Sequence, residues 1–394
     1  MRPKVNIIVD TNLIFYKFAY VNAYKTNNYL SKQSHRSQFI KDVTRSIQTT
    51  VNLYSGYIDR VIFVADCNTK SWRKDIPVEE DFYKTTRKKD YPFDIGIFKN
   101  LLNNYIRMLR EFGVYAYMFD RMEGDDLLFL ISSILYHNGL SSVILTSDED
   151  MRQLIKFDDG KFITVFDYDY EKKYNYVDRE IQYMKAQEDD EYDGVFNIGS
   201  SGNVSRNNFN HILDIVYRDY RIVSPSEILF KKILAGDTSD NVPSSYIYPK
   251  GQAEKLTNFT EKRAIDLMVK YSPDKGFVDK LRTNTEFRLG LAEDMINEVK
   301  TKAQKTQPND PELVRKVGDN LLRNTKFIYL HHSSYSEEQD LYNTVKQKIG
   351  KDLSNKEFLM NHTRIFADGW PDDLLAGTDF DTRDDEMTMD FRNI

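Results

Sequence analysis

Along the first half of the chain, two hydrophobic patterns alternate. Short β-branched runs end at a carboxylate or a polar turn at residues 5–10, 61–66, 114–119 and 143–147. Runs of this length, bounded by turn residues, are the signature of buried strands. Between them lie longer stretches with apolar residues three and four apart. Over 98–112 these are Phe98, Leu101, Leu102, Tyr105, Ile106 and Leu109, and residues 127–135 repeat the pattern. Buried strands alternating with amphipathic helices predict an α/β fold, a mostly parallel sheet with helices on both faces. A further run over 162–166 is expected to close one edge.

Beyond about residue 175 the pattern changes. An acidic run, Glu188 to Glu191, precedes a Gly/Ser/Asn stretch, and residues 187–210 read as a surface loop or insertion. Helical spacing then returns around 227–234, 260–271, 291–302 and 310–322 without a convincing strand. The expected organisation is an α/β domain over 1–175, a mainly helical region over 176–360, and a tail over 361–394.

Composition narrows the class. Of 394 residues 40% are hydrophobic, with 26 Tyr and 24 Phe, enough for a sizeable core and incompatible with wholesale disorder. One cysteine, Cys67, excludes an intrachain disulfide and a multi-cysteine zinc site. No apolar run approaches the ~18 residues of a membrane span, and the N-terminus turns polar too early for a signal peptide. A soluble, cytoplasmic protein of a reducing compartment, without a membrane partner, is expected. The net charge of −6 resides in the tail, where nine acidic residues face Arg364, Arg383 and Arg392. The body is neutral, with a basic cluster at Lys17, Lys25, Lys32, Arg36, Lys41 and Arg45 that is compatible with a nucleic-acid partner.

In a parallel sheet, ligands bind beyond the carboxyl ends of the strands. Asp10 ends the first strand, Asp66 the second, and Asp148 and Asp150 follow the fourth. Glu123-Gly124-Asp125-Asp126 opens a helix, and Gly236-Asp237-Thr238-Ser239-Asp240-Asn241 closes another. Taken singly, each acid is as well explained by a turn or a helix cap. Their recurrence at successive strand ends points to hard divalent cations, since so many carboxylates repel one another and resist desolvation.

The order VDTN, an Asp followed by Ser-Trp-Arg, EGDD, TSDED and GDTSDN resembles the 5′-nuclease (flap endonuclease) superfamily. Within it, the resemblance is to the ribonucleases H of T-even bacteriophages. It covers roughly residues 1–330 and implies a PIN-like catalytic domain followed by a helical region related to the superfamily's helix–hairpin–helix domain. It further implies hydrolysis of DNA or RNA–DNA duplexes at 5′ ends or flaps, as in primer removal during phage replication in the host cytoplasm. Two Mg²⁺ ions are implied, with Mn²⁺ able to substitute: one held by Asp10, Asp66, Glu123 and Asp125, the other by Asp148, Asp150, Asp237 and Asp240, with Asp126 beside them.

Residues 70–95 correspond to the family's helical arch over the active site, where basic and aromatic residues interleave in a manner suited to single strands. Trp72, Arg73, Tyr83, Lys84, Arg87 and Lys88 are the nucleic-acid-binding candidates there, and Lys84 and Arg87 also count among the catalytic ones. Lys232 matches a basic position directed at the scissile phosphate. The chain departs from the family after GDTSDN: Val-Pro-Ser-Ser-Tyr-Ile-Tyr-Pro-Lys-Gly lacks the expected Gly-x-Gly, which puts a potassium site in doubt.

Other readings are weaker. A haloacid-dehalogenase-like phosphatase needs Asp-x-Asp after the first strand, whereas the chain has Asp10-Thr11-Asn12. A PIN-type endoribonuclease does not need GDTSDN or a helical second region. An inactive DNA-binding scaffold would gain by shedding the carboxylates, which repel phosphates. Within the tail, Met387, Met389 and Phe391 alternate with polar residues and form a candidate docking peptide for a sliding clamp or single-strand-binding protein.

Overall fold

The computed structural model describes residues 5–26, 28–52, 58–67, 69–76, 91–158, 161–167, 225–250, 255–274, 276–300, 304, 307–330, 339–356 and 358–359. The expected loop over 187–210, the tail over 361–394 and most of the expected arch lie outside these residues. Two compact units are present. The first comprises the described residues of Met1–Ser71, Asp90–Asp219 and Glu337–Ile394, the second those of Trp72–Lys89 and Tyr220–Ser336.

In the first unit, β1 (Val5–Asp10), β2 (Ile58–Val64), β3 (Tyr115–Tyr117), β4 (Ser141–Thr146), β5 (Lys156–Asp158) and β6 (Lys161–Asp167) form one sheet in the order β3-β2-β1-β4-β6-β5. All neighbours are parallel except β5 and β6. The predicted α/β class is therefore what the chain adopts, with one correction at the edge. The strand expected over 162–166 lies inside the sheet beside β4, and the short β5 pairs outside it. Three residues are too few to show a period in sequence, so β5 left no signal.

Register sets which side chains meet. Ile8 of β1 aligns with Ile62 of β2 and Ile144 of β4, and Val9 aligns with Phe63 and Leu145. Helices α1 (Thr11–Lys25), α2 (Gln33–Asn52) and α3 (Ile95–Glu111) share a core with Val9, Phe63 and Leu145. At its centre the Phe15 ring meets Phe39, Phe98 and Tyr105 with centroids 5.1–6.2 Å apart. Helix α3 buries the six residues whose spacing marks it in sequence, and Asp94 caps it by accepting from the Gly96 and Ile97 N–H groups. Helix α4 (Gly124–His137) lies against β1, β2, β4 and β6.

The second unit is mainly helical, with α5 (Pro225–Ala235), α6 (Glu261–Tyr271), α7 (Phe277–Thr283), α8 (Thr285–Val299) and α9 (Pro311–Ile328) around their own core. A two-stranded hairpin, β7 (Ile247–Lys250) with β8 (Lys255–Asn258), corrects the expectation that no strand follows residue 175. Pro249 lies within β7, and four residues do not establish alternation. Tertiary bonds anchor the hairpin instead: Phe259 N–H donates to the Tyr246 carbonyl and to Ser244 Oγ. No described helix is long and apolar enough to cross a membrane.

Helix α10 (Gln339–Ser354) belongs to the first unit, although the sequence places it within the expected helical region of 176–360. It packs on α4 and buries Tyr342, Val345, Ile349 and Leu353. The Arg60 guanidinium of β2 donates to the Leu353 carbonyl, and the Tyr115 ring lies 4.5 Å from that of Phe358. Four buried apolar side chains at about 1.5–3 kcal/mol each amount to more than ~5 kcal/mol. A chain ending at residue 336 should therefore unfold at markedly lower temperature or denaturant than the parent, whereas one ending at 360 should keep most of the parent's stability. Circular-dichroism melts of the three lengths check this; equal melting of the 336 and 360 forms would show that α10 is dispensable.

Candidate active site

Because β1, β2 and β4 run parallel, their carboxyl ends reach one rim. Asp10 is the last residue of β1 and pairs in register with Val64, which places Asp66 two residues beyond the end of β2. Asp10 is also the N-cap of α1. Its Oδ1 accepts from the Leu13 N–H at 3.1 Å, and its Oδ2 from Thr146 Oγ1 at 2.8 Å. Burial pushes its carboxyl up to about 7, well above the ordinary 3.8, although the Leu13 and Thr146 bonds act the other way; the charges of Asp66 and Asp148 push it further up.

Asp66 is exposed but not loosely held. Its Oδ1 accepts from the Gly124 N–H at 2.6 Å and its Oδ2 from Asn12 Nδ2 at 2.8 Å, while Asn12 Oδ1 accepts Asp66's own N–H at 2.9 Å. The approach of Gly124 depends on the missing side chain, since a Cβ there would lie 3.0 Å from Asp66 Oδ1. Glu123 and Asp126 form a capping box at the start of α4: each carboxylate accepts the other residue's N–H. Both are buried, whereas Asp125 in the same turn keeps partial exposure. Beyond β4, Asp148 caps the short 3₁₀ turn Glu149–Leu154 by accepting from the Asp150 N–H at 2.8 Å.

Seven of the nine predicted carboxylates thus sit in the first unit, and Asp66 and Asp148 are near enough to Asp10 to raise its proton affinity. Among the described residues no three His, Cys, Asp or Glu side chains converge at metal-ligating spacing. Oxygens of Asp10, Asp66, Glu123, Asp126 and Asp148 are turned onto N–H groups at the starts of helices and turns, where the positive end of the backbone dipole favours them.

Asp237 and Asp240 belong to the second unit. Gly236 has φ +83°, and a Cβ there would meet the Val242 carbonyl oxygen at 2.5 Å, so glycine is required. Burial would raise the Asp237 carboxyl, but a 2.8 Å bond from Lys232 Nζ and bonds from Ser239 outweigh it and hold the group below its ordinary value. Lys232, expected to face a phosphate, here pairs with Asp237. Where the family's Gly-x-Gly is missing, buried serines and an asparagine lock the chain. Ser245 Oγ donates to the Ile233 carbonyl, and Asn324 of α9 donates to the Ile233 and Pro243 carbonyls and to Ser245 Oγ. Arg323 holds the other end of that amide through two bonds to Asn324 Oδ1.

Trp72 and Arg73 are 3% and 1% exposed, with the guanidinium 4.9 Å from the Trp72 ring, so in this structure neither offers a surface to nucleic acid. An interleaved basic and aromatic pattern does not distinguish a buried cation–π pair from an exposed one. Tyr83, Lys84, Arg87 and Lys88 lie outside the described residues. The side chains that sequence reasoning missed are Asn12 and Thr146. They stand within VDTN and TSDED, where only the carboxylates drew a reading, and only the fold shows which of these they reach.

The sequence matches a family model described as the 5′-3′ exonuclease, N-terminal resolvase-like domain, over residues 5–187. No curated protein sequence matches the chain. Among solved structures, the bacteriophage T5 5′-exonuclease with bound divalent zinc ions is similar, with 15% identity, a TM-score of 0.51, and coverage of 88% of this chain and 97% of that one. The T5 flap endonuclease in a complex with DNA and metal ions is 14% identical at a TM-score of 0.49, covering 88% of this chain and all of that one. The first of these likenesses bears on the fold alone: a mostly parallel sheet with flanking helices and a helical C-terminal region. Residues 5–187, which carry Asp10, Asp66, the EGDD turn and the TSDED turn, match a 5′-3′ exonuclease domain, and that match supports the 5′-nuclease superfamily for this chain.

Proposed function

We propose that the protein is a divalent-metal-dependent 5′→3′ exonuclease and flap endonuclease acting on DNA and RNA–DNA duplexes with 5′ ends or flaps. The observation that carries the reading is the rim of carboxylates at the parallel strand ends, inside the segment that matches the exonuclease domain. The resemblance to T-even phage ribonucleases H supports RNA-primer removal during phage replication as the role. The T5 enzymes, described as a 5′-exonuclease and a flap endonuclease, were crystallised with metal ions, one of them with DNA.

The residues suit a hard cation. The donors are all carboxylate oxygens, the preferred ligands of Mg²⁺ and Mn²⁺. The upward shift of Asp10 shows that burial and like charge make its ionised form costly without a cation. Following the family resemblance, we assign Asp10, Asp66, Glu123 and Asp125 to one ion and Asp148 and Asp150 to a second, with Asp126 beside them, and count Asp237 and Asp240 of the second unit as further metal-ligand candidates. When bound, such a pair supplies Lewis-acid stabilisation and a water of lowered pKa for phosphodiester hydrolysis. The chain's own contribution is to hold the carboxylates, through the Leu13 and Gly124 N–H groups, and to bring the substrate, through Tyr83, Lys84, Arg87 and Lys88 with Lys232 at the scissile phosphate. Recruitment through residues 387–394 to a sliding clamp or single-strand-binding protein would raise the local concentration of enzyme at junctions.

Digestion of 5′-labelled nicked, flapped and RNA-primed duplexes tests the reading. Cleavage is expected with Mg²⁺ or Mn²⁺ and none in EDTA, and Asp66→Asn should lower turnover by at least ~10²-fold; full activity in EDTA would overturn the proposal. Replacing Lys84 and Arg87 with Ala should weaken cleavage and flatten its salt dependence by up to about two in slope, because fewer counterions are released on binding. Unchanged cleavage across a salt titration would remove these residues from the substrate path.

A third expectation concerns pH in the metal-free protein. Asp10 binds its proton more tightly folded than unfolded, so its contribution to stability is fully present below about pH 3.8 and lost as pH rises through about 7. Asp10→Asn removes that loss. Its stability advantage over the parent in EDTA should widen between pH 5 and pH 8, by about 1–3 kcal/mol. Urea titrations at the two pH values give the number, and a pH-independent difference would refute the assignment.

A further inference from the structure

We infer that Thr146 and Asn12 are positioning residues that aim Asp10 and Asp66 at a divalent cation. This inference rests on the metal-dependent reading above and concerns residues which that reading leaves unassigned.

The Thr146 hydroxyl has one proton and two lone pairs. Asp148's backbone N–H, 3.1 Å away, can only donate, so it takes a lone pair of Oγ1. The single proton is then left for Asp10 Oδ2 at 2.8 Å. Both directions are therefore fixed, and one fully buried side chain, 0% exposed, sets the position of the carboxylate ending β1 and of the turn that carries Asp148 and Asp150. No other hydrogen-bonding side chain of the same shape serves except serine; valine fills the space but supplies neither bond.

Asn12 acts on Asp66 in a comparable way. Its amide oxygen can only accept and its NH₂ can only donate, so the pair of bonds to Asp66 N–H and Oδ2 closes in one orientation. Asp66 lies beyond the end of its strand and is exposed. Asn12 and the Gly124 N–H each engage one of its two carboxylate oxygens, which restricts the rotamers it can adopt. Metal ligands held by such outer partners typically lose 10–100-fold in affinity when the partner is removed.

The test uses the full-length protein and Mn²⁺ alone, without nucleic acid, with free ion counted by electron paramagnetic resonance. Thr146→Val and Asn12→Ala should each weaken Mn²⁺ binding about 10-fold, and Thr146→Ser should stay within about 3-fold of the parent. The Mn²⁺ concentration giving half-maximal cleavage should rise by the same factor. A purely structural role predicts a lower melting temperature with unchanged Mn²⁺ affinity; that result in a folded Thr146→Val or Asn12→Ala overturns the inference. If Thr146→Val does not fold, Asn12→Ala at a partly exposed position decides by the same criterion. Absence of Mn²⁺ binding by the parent would overturn the metal-dependent reading and this inference together, whereas binding by the parent and equally by the variants overturns this inference alone.

Discussion

Burial of carboxylates, added to by their mutual repulsion, at the ends of parallel strands is the constraint to which the first unit's rim is fitted. A parallel sheet brings its strand ends to one rim, and here Asp10, Asp66 and Asp148 stand there together. The fold offsets their charge with backbone N–H groups: Leu13 at the start of α1, Gly124 at the start of α4, and Asp150 in the turn after β4. Hydrogen bonds to charged groups contribute about 1.5–3 kcal/mol each, more than neutral ones. The helix starts are thus both the scaffold and the counter-charge of the rim. The offset is incomplete at Asp10, whose carboxyl stays above its ordinary value.

The second unit meets the same problem differently. Asp237 has a cationic partner, Lys232, and two bonds from Ser239, and it is held ionised. Its loop is fixed by buried polar groups satisfied one by one, from Ser244 and Ser245 through Asn324 to Arg323. Burial lowers the Arg323 guanidinium to about 10, which leaves it charged at neutral pH and able to hold the Asn324 amide oxygen. A fully satisfied network of this kind rigidifies its surroundings, whereas one missing member would leave a costly unpaired group. The hydrogen-bonded Ser-Ser segment therefore gives the loop after GDTSDN a definite shape without a Gly-x-Gly.

Burial of α10 against α4 ties the two ends of the first unit's sequence together. Tyr342 of α10 lies close enough to Asp126 for that charge to act on its hydroxyl, whose proton burial already holds tightly. Arg60, near the amino end of β2, reaches both Asn6 and the Leu353 carbonyl. The helix thus braces the sheet and the helix bearing Glu123, Asp125 and Asp126.

Local patterns sufficed for the features that depend on neighbouring residues. The 3.6-residue spacing of α3, the β-branched runs of β1, β2 and β4, and the carboxylates at their ends follow from periodicity and from the geometry of parallel strands, so the α/β class and the acidic rim were legible without coordinates. What required the tertiary structure depends on partners far away in sequence. Asn12 and Asp66 are 54 residues apart, Thr146 and Asp10 136, and Arg60 and Leu353 293. A polar residue's type says that it will seek a partner, not which one, and short strands such as β5 and β7 carry too few residues to declare a period. Sequence alone therefore determined where the carboxylates lie along the sheet. Only the packed fold decided which hydrogen bond orients each of them, because that choice is made by distance in space.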